Sequence, residues 1–252
     1  MIGIFDSGCG GLTVLRAIRD ALPSADVVYF GDTKNAPYGS RSREDLSRLT
    51  VEGLKLLQER GATNLVSACN SVSASLAVSL LDAFALSPQQ LIEMVGPTVR
   101  YFKETDVCIG LCATEATISS GIYQNAFTMI GRDIVAFSIP ELAGAIEAGK
   151  PEEELERIVR ESLESEPREF DVLVLACTHY PLVLPLFQKV LDGRALVFDP
   201  AVAVAERVEQ YFWPQEVGKG STLFLLSQES LAFRALAAQL FPDREYTIQV
   251  LE

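Results

Sequence analysis

The chain has 252 residues, 48% hydrophobic and 22% charged, enough to bury one large α/β core or two modest ones. A net charge of −13 sets up a field that repels nucleic acid and anionic membrane surfaces, so neither is an expected partner. No apolar run has the length of a membrane span, and MIGIFDSG lacks the basic and long apolar segments of a secretory leader; a cytoplasmic location is the expectation.

The strand IGIF opens the chain and runs into FDSGCGG, Phe5 to Gly11. Such a glycine turn after an apolar run suits a phosphate, yet Asp6 stands where the phosphate would lie. The helix LTVLRAIRDAL follows and stops at Pro23, then the strand DVVYF leads to Asp32. Pro37-Tyr38-Gly39 is a turn, and Ser42 with Asp45 forms a capping pair for a helix burying Leu46, Leu49, Leu54 and Leu57. NLVSA is the next strand and ends at Cys69. After a break near Gly96-Pro97 come VCIGLCA, in which Cys108 and Cys112 read as small buried hydrophobes, then DVLVLA ending at Cys177, and LVF. A second break near Asp199-Pro200 precedes TLFLLS, the helix LAFRALAAQLF with Ser227 and Ser230 as caps, and YTIQV. Short β-branched runs alternating with helical stretches predict an α/β fold with mostly parallel sheets.

The sequence also echoes itself. VSACNSVSA (66 to 74) resembles VLACTHYPL (174 to 182), and IGIFDSG (2 to 8) resembles IGLCATE (109 to 115), at nearly the same spacing. Two diverged copies of one unit are expected. The predicted division is 1–95 plus 206–252 for the first domain, carrying Asp6 and Cys69, and 96–205 for the second, carrying Cys177 and His179.

In open α/β sheets, chemistry gathers beyond the carboxyl ends of the strands. Four such ends are polar: Asp6-Ser7, Cys69-Asn70-Ser71, Thr114 through Thr117, and Cys177-Thr178-His179. Cys69 and Cys177 each precede a predicted helix, whose amide dipoles favour a thiolate, and His179 is the chain's single histidine. The five cysteines include no CxxC pair, which suits free thiols in a reducing compartment.

FDSGCGGLTVL, GDTKNAPYGSRS, ACNSVSA, ATEATISSGIY and ACTHYPLV, in this order, resemble the motif series of the glutamate racemases in the aspartate/glutamate racemase superfamily. That resemblance implies two pseudo-symmetric domains with the active site in the cleft between them, and cofactor-independent, two-thiol racemisation of glutamate that supplies D-glutamate for peptidoglycan. It implies that Cys69 acts on D-glutamate with Asp6 assisting, that Cys177 acts on L-glutamate with His179 assisting, and that Glu147 is a helping carboxylate. Ser7 would meet the substrate ammonium, Asn70, Ser71 and Thr178 its α-carboxylate, and Pro37, Tyr38, Gly39, Thr114 and Thr117 its side-chain carboxylate. No metal is implied, and a monomer and a homodimer are both compatible with it. The sequence departs from the family's usual pattern at Ser71-Val72, in Cys-Asn-Ser-Val-Ser, and at Cys9, where valine is common and to which no catalytic role is assigned.

Three other readings use the same residues. A Rossmann-type nucleotide site would pair the glycine turn with Asp32, but Gly8-Cys9-Gly10-Gly11 does not have the GxGxxG spacing. A thiolate metal site could be built from Cys69, Cys177 and His179, but would leave the neighbouring Asn, Ser and Thr groups unexplained. Aspartate is the alternative substrate within the superfamily.

Overall fold

The computed structural model describes residues 1–73, 86, 87, 89–214 and 216–251; Ala74, the last residue of the first echo, lies outside them. Among the described residues the strands are β1 (Ile2–Asp6), β2 (Val27–Gly31), β3 (Asn64–Ser67), β4 (Leu91–Ile92), β5 (Ile109–Ala113), β6 (Ile134–Ser138), β7 (Val172–Ala176), β8 (Leu196–Phe198), β9 (Thr222–Leu226) and β10 (Thr247–Val250). They form two sheets, ordered β10-β9-β2-β1-β3-β4 and β6-β5-β7-β8. Every pairing is parallel.

Parallel sheets are covered on both faces, so their inner strands are apolar at nearly every position. β1, β2, β5 and β7 are buried throughout. In the first sheet Ile2, Ile4, Val27, Tyr29 and Val66 enter one core, while Phe5, Val28, Phe30 and Leu65 enter the core on the other face. Alternation divides the second sheet in the same way: Leu173 and Leu175 on one side, Val172, Val174 and Ile109 on the other. Cys112 is buried among the first of these groups, as a small hydrophobe would be. Cys108, by contrast, is exposed, because it precedes β5 instead of belonging to it.

Each sheet has a central strand with neighbours on both sides, β1 between β2 and β3 and β5 between β6 and β7. Chain crossovers leave such a strand in opposite directions, opening a crevice beyond its carboxyl end. Registers agree as well: Ile2 pairs with Asn64 in one sheet and Ile109 with Val172 in the other. The sequence echo is therefore a structural one, with β1 matching β5 and β3 matching β7.

Local signals explain most helix boundaries. Ser42 accepts a hydrogen bond from the Asp45 amide at 3.2 Å and opens the helix Arg43–Glu59, where Leu46, Leu49, Leu54 and Leu57 are buried. Ser230 caps Leu231–Leu240 in the same manner, but Ser227 is not a cap: its hydroxyl donates to Asp32 at 2.7 Å. β4 and β6 were not among the predicted strands, since one has only two residues and the other lies half-buried at a sheet edge without the expected periodicity. From Pro200 the helix Pro200–Phe212 packs its Ala201, Val204 and Val208 into the core shared with Leu12–Ala21. Buried Arg19, on that earlier helix, donates to the carbonyls of Ala25 and Ser221 and so stitches the segment before β9 to the first sheet.

Candidate active site

β1 delivers Asp6 and Ser7 into the glycine turn. The Asp6 carboxylate is fully buried, accepting from the Gly8 amide at 3.0 Å and from the Thr178 hydroxyl, in the other half of the molecule, at 3.4 Å. Two of the turn's glycines make room for the opposite half, while a β-carbon at Gly11 would meet Asp6 and Tyr29. A β-carbon at Gly10 would lie 2.4 Å from Thr178 Oγ1 and 2.7 Å from His179 Nδ1, and one at Gly8 would lie 2.7 Å from Glu147 Oε1. Asp32, the candidate ribose acid, is committed elsewhere: it accepts from Tyr38 Oη at 2.6 Å, from Asn35 and from Ser227.

β3 ends before Cys69, whose thiol lies 3.6 Å from Ser7 Oγ. Asn70 is buried, with Oδ1 accepting from Tyr123 Oη at 2.6 Å, while its Nδ2 has no partner among the described residues. A buried donor of this kind costs about 1–3 kcal/mol unless something accepts from it, so Asn70 is suited to a ligand's carboxylate. Ser71 Oγ stands 3.0 Å from Thr114 Oγ1 and 3.5 Å from Thr117 Oγ1, which are themselves 3.1 Å apart. This hydroxyl triangle joins the ends of β3 and β5.

β7 ends before Cys177, and His179 Nδ1 lies 3.9 Å from its sulfur. The other ring nitrogen, Nε2, is 3.1 Å from Glu147 Oε1 and 3.9 Å from Cys9 Sγ. Glu147 ends the helix Leu142–Glu147 and is only 23% exposed, so it is not a solvated surface glutamate. Burial alone would lower the basicity of His179, but its contacts with Cys177, Cys9 and Glu147 outweigh that and hold the imidazole well above its ordinary pKa.

The expected lowering of the Cys69 pKa does not occur. Burial, and then the Asp6 charge, push it up to about 12; the hydrogen bonds with Ser7 and the Val72 amide offset only part of this. Cys69 therefore rests as a thiol.

Ser7, Pro37, Tyr38, Gly39, Cys69, Asn70, Ser71, Thr114, Ala143, Cys177, Thr178 and His179 enclose a cavity of about 20 Å³. Asp6, Thr117 and Glu147 are not on its wall and reach it through Thr178, Ser71 and His179 respectively. Tyr38 lines the cavity, but its hydroxyl is spent on Asp32. Ligand pockets usually measure about 300–1,000 Å³, so this is a closed state that must open to admit a substrate. Larger crevices, of about 910 and 740 Å³, lie outside the two-thiol cavity.

Sequence reasoning missed Tyr123, Ala143 and Thr13, whose Oγ1 donates to the Thr178 carbonyl at 3.3 Å. None stands at a strand end, and only the packing of the two halves brings them near. The metal set of Cys69, Cys177 and His179 does not gather either. His179 turns Nδ1 to Cys177 and Nε2 away, and among the described residues the clustered metal-ligating side chains are Cys9, Glu147 and His179.

Two thiols from different halves thus face one enclosed space, one with a carboxylate behind it and one with an imidazole–carboxylate pair. The family model for Asp/Glu/Hydantoin racemase matches residues 10–208. A curated glutamate racemase from Aquifex aeolicus is 38% identical over 223 residues, covering 87% of this chain and 85% of that protein. The crystal structure of glutamate racemase from Thermus thermophilus in complex with beta-chloro-D-alanine superposes with a TM-score of 0.85 at 32% identity, covering 100% of this chain and 96% of that one. The crystal structure of glutamate racemase from Francisella tularensis in complex with D-glutamate gives 0.87 at 25% identity, covering 100% and 97%. With its paired sheets and paired thiols, the chain belongs to the Asp/Glu/Hydantoin racemase family and is an amino-acid racemase.

Proposed function

We propose that the chain interconverts L- and D-glutamate without a cofactor, by a two-base reaction in which Cys69 and Cys177 exchange roles. One observation carries this reading: the two cysteines, from the ends of equivalent strands of the two sheets, line the same cavity. With L-glutamate, His179 takes the Cys177 thiol proton, the resulting thiolate removes the α-proton, and the Cys69 thiol returns a proton to the opposite face. With D-glutamate the flow reverses, and Asp6 accepts the proton that Cys69 must lose. A thiol resting protonated at Cys69 and an imidazole of raised basicity at His179 suit these starting states. Asn70 Nδ2, Ser71, Thr114 and Thr178 supply hydrogen bonds to the substrate carboxylates without placing a cation beside the thiols.

The division into 1–95 plus 206–252 and 96–205 belongs to this proposal, each part supplying one thiol, with the helix Pro200–Phe212 running across its second boundary and packing on the first part. So do a cytoplasmic role in providing D-glutamate for peptidoglycan, and glutamate as the small-molecule partner; a homodimer is compatible with it. Among the described residues no helix is long and apolar enough to cross a membrane.

The test is incubation of L-glutamate and L-aspartate in D2O with the wild type, Cys69→Ser and Cys177→Ser. Deuterium is expected at the α-carbon of glutamate, with racemisation lowered at least about 100-fold in each variant. Exchange confined to aspartate would favour the related aspartate reaction, and full activity in either variant would overturn the two-thiol assignment.

A further inference from the structure

We infer that Cys9, Glu147 and His179 form a binding site for a thiophilic divalent cation, zinc by its ligand set, and that filling it arrests the racemase. The three ligand atoms all lie within 4.8 Å of one another. Both Cys9 Sγ and Glu147 Oε1 converge on His179 Nε2, at 3.9 and 3.1 Å. A single imidazole nitrogen has one proton or one lone pair and cannot serve both neighbours fully; a cation at the centre of the three can. Tetrahedral zinc with ordinary bond lengths would set its sulfur–nitrogen edge at about 3.6 Å and its nitrogen–oxygen edge at about 3.4 Å. These two separations need to change by roughly 0.3 Å, and the sulfur–oxygen edge, now within 4.8 Å, has to close to about 3.6 Å, which side-chain rotation of Glu147 can supply.

Access does not depend on the substrate cavity. Cys9 and Glu147 also line the outer crevice of about 740 Å³, so a cation can enter from that side and keep a water as its fourth ligand. The surface field favours its arrival, since the chain carries a net charge of −13. Gly8 makes the arrangement sterically possible, because any β-carbon there would collide with the Glu147 carboxylate.

A cation on Nε2 leaves His179 as a neutral ligand whose remaining ring proton is on Nδ1, facing Cys177. The imidazole can then donate toward that sulfur but cannot accept the thiol proton. The binding stands on geometry alone, whereas the inhibition rests on the two-thiol reading.

The two parts are separated by titrating the full-length protein with cobalt(II), as a coloured substitute for zinc, and by measuring glutamate racemisation with zinc chloride. One equivalent of cobalt is expected to give a thiolate-to-metal charge-transfer band and intense tetrahedral visible bands. The affinity should fall at least about 100-fold in Cys9→Ala and clearly in Glu147→Gln, and should persist in Cys69→Ser. Saturating zinc should lower the wild-type rate at least tenfold, reversibly on chelation, and leave Cys9→Ala at its own metal-free rate. A charge-transfer band unchanged in Cys9→Ala but lost in Cys69→Ser would move the site into the substrate cavity and overturn the proposal, as would no band at all. Binding at Cys9 with full racemisation at saturating zinc would overturn the inhibition. A protein without racemase activity that still shows the Cys9-dependent band would refute the functional reading and support the site.

Discussion

At the residue scale, the relation between Asp6 and Cys69 bears on the D-glutamate direction of the proposed two-thiol reaction. Asp6 is buried, and its charge is the second cause, after desolvation, of the raised thiol pKa. The same carboxylate that discourages a free thiolate is the group able to accept the thiol proton. Asp6→Asn should therefore separate two effects. The alkylation midpoint of Cys69, followed by mass spectrometry of its peptide, should move to lower pH, while the rate from D-glutamate should fall about 100-fold and more than the rate from L-glutamate. A midpoint that did not move would remove Asp6 from the electrostatics of the site. The carboxylate was legible from its position at a strand end; its contact with Thr178 was not, because that partner is 172 residues away.

At the element scale, the glycine turn after β1 is a docking surface for the other half of the molecule. Gly10 leaves room for Thr178 and His179, and no side chain fits there without moving them. The turn is also the first-turn support of helix Leu12–Ala21, as the Thr13 amide donates to the Gly10 carbonyl at 3.1 Å. Gly10→Ala should keep the helix but displace His179 from Cys177. A displacement near 1 Å costs on the order of 100-fold in rate. The expected result is a folded protein with unchanged far-ultraviolet circular dichroism and about 1% of wild-type racemisation, and a variant that retained full rate would show that the turn tolerates the contact. In the sequence the three glycines suggest a phosphate cradle, since glycine records only that something comes close and not what it is.

At the scale of the whole molecule, burying a thiol couples the site to global stability. Cys69 titrates near pH 9 when unfolded and near 12 when folded, so its contribution is fully present below pH 9 and is lost as pH rises toward 12. The difference amounts to about 4 kcal/mol at the alkaline end. Urea midpoints measured from pH 8 to pH 11 should fall more steeply for the wild type than for Cys69→Ser; parallel slopes would mean that the folded thiol titrates normally. Buried tyrosines titrate in both proteins and cancel in the comparison.

The sequence by itself determined the α/β class, because alternating apolar runs and helical periods are local properties. It also marked both thiols, because each follows a buried strand directly and the 107- and 108-residue echoes tie their strands together. The resemblance implied that the two cysteines share one cleft, and in the tertiary structure both line the same cavity. Only the tertiary structure decided that Glu147 reaches His179, that Cys9 stands on the same nitrogen, that Tyr38 spends its hydroxyl on Asp32, and that Cys69 is a thiol at rest. These depend on distances across the chain and on desolvation, and neither is written in the neighbourhood of a residue.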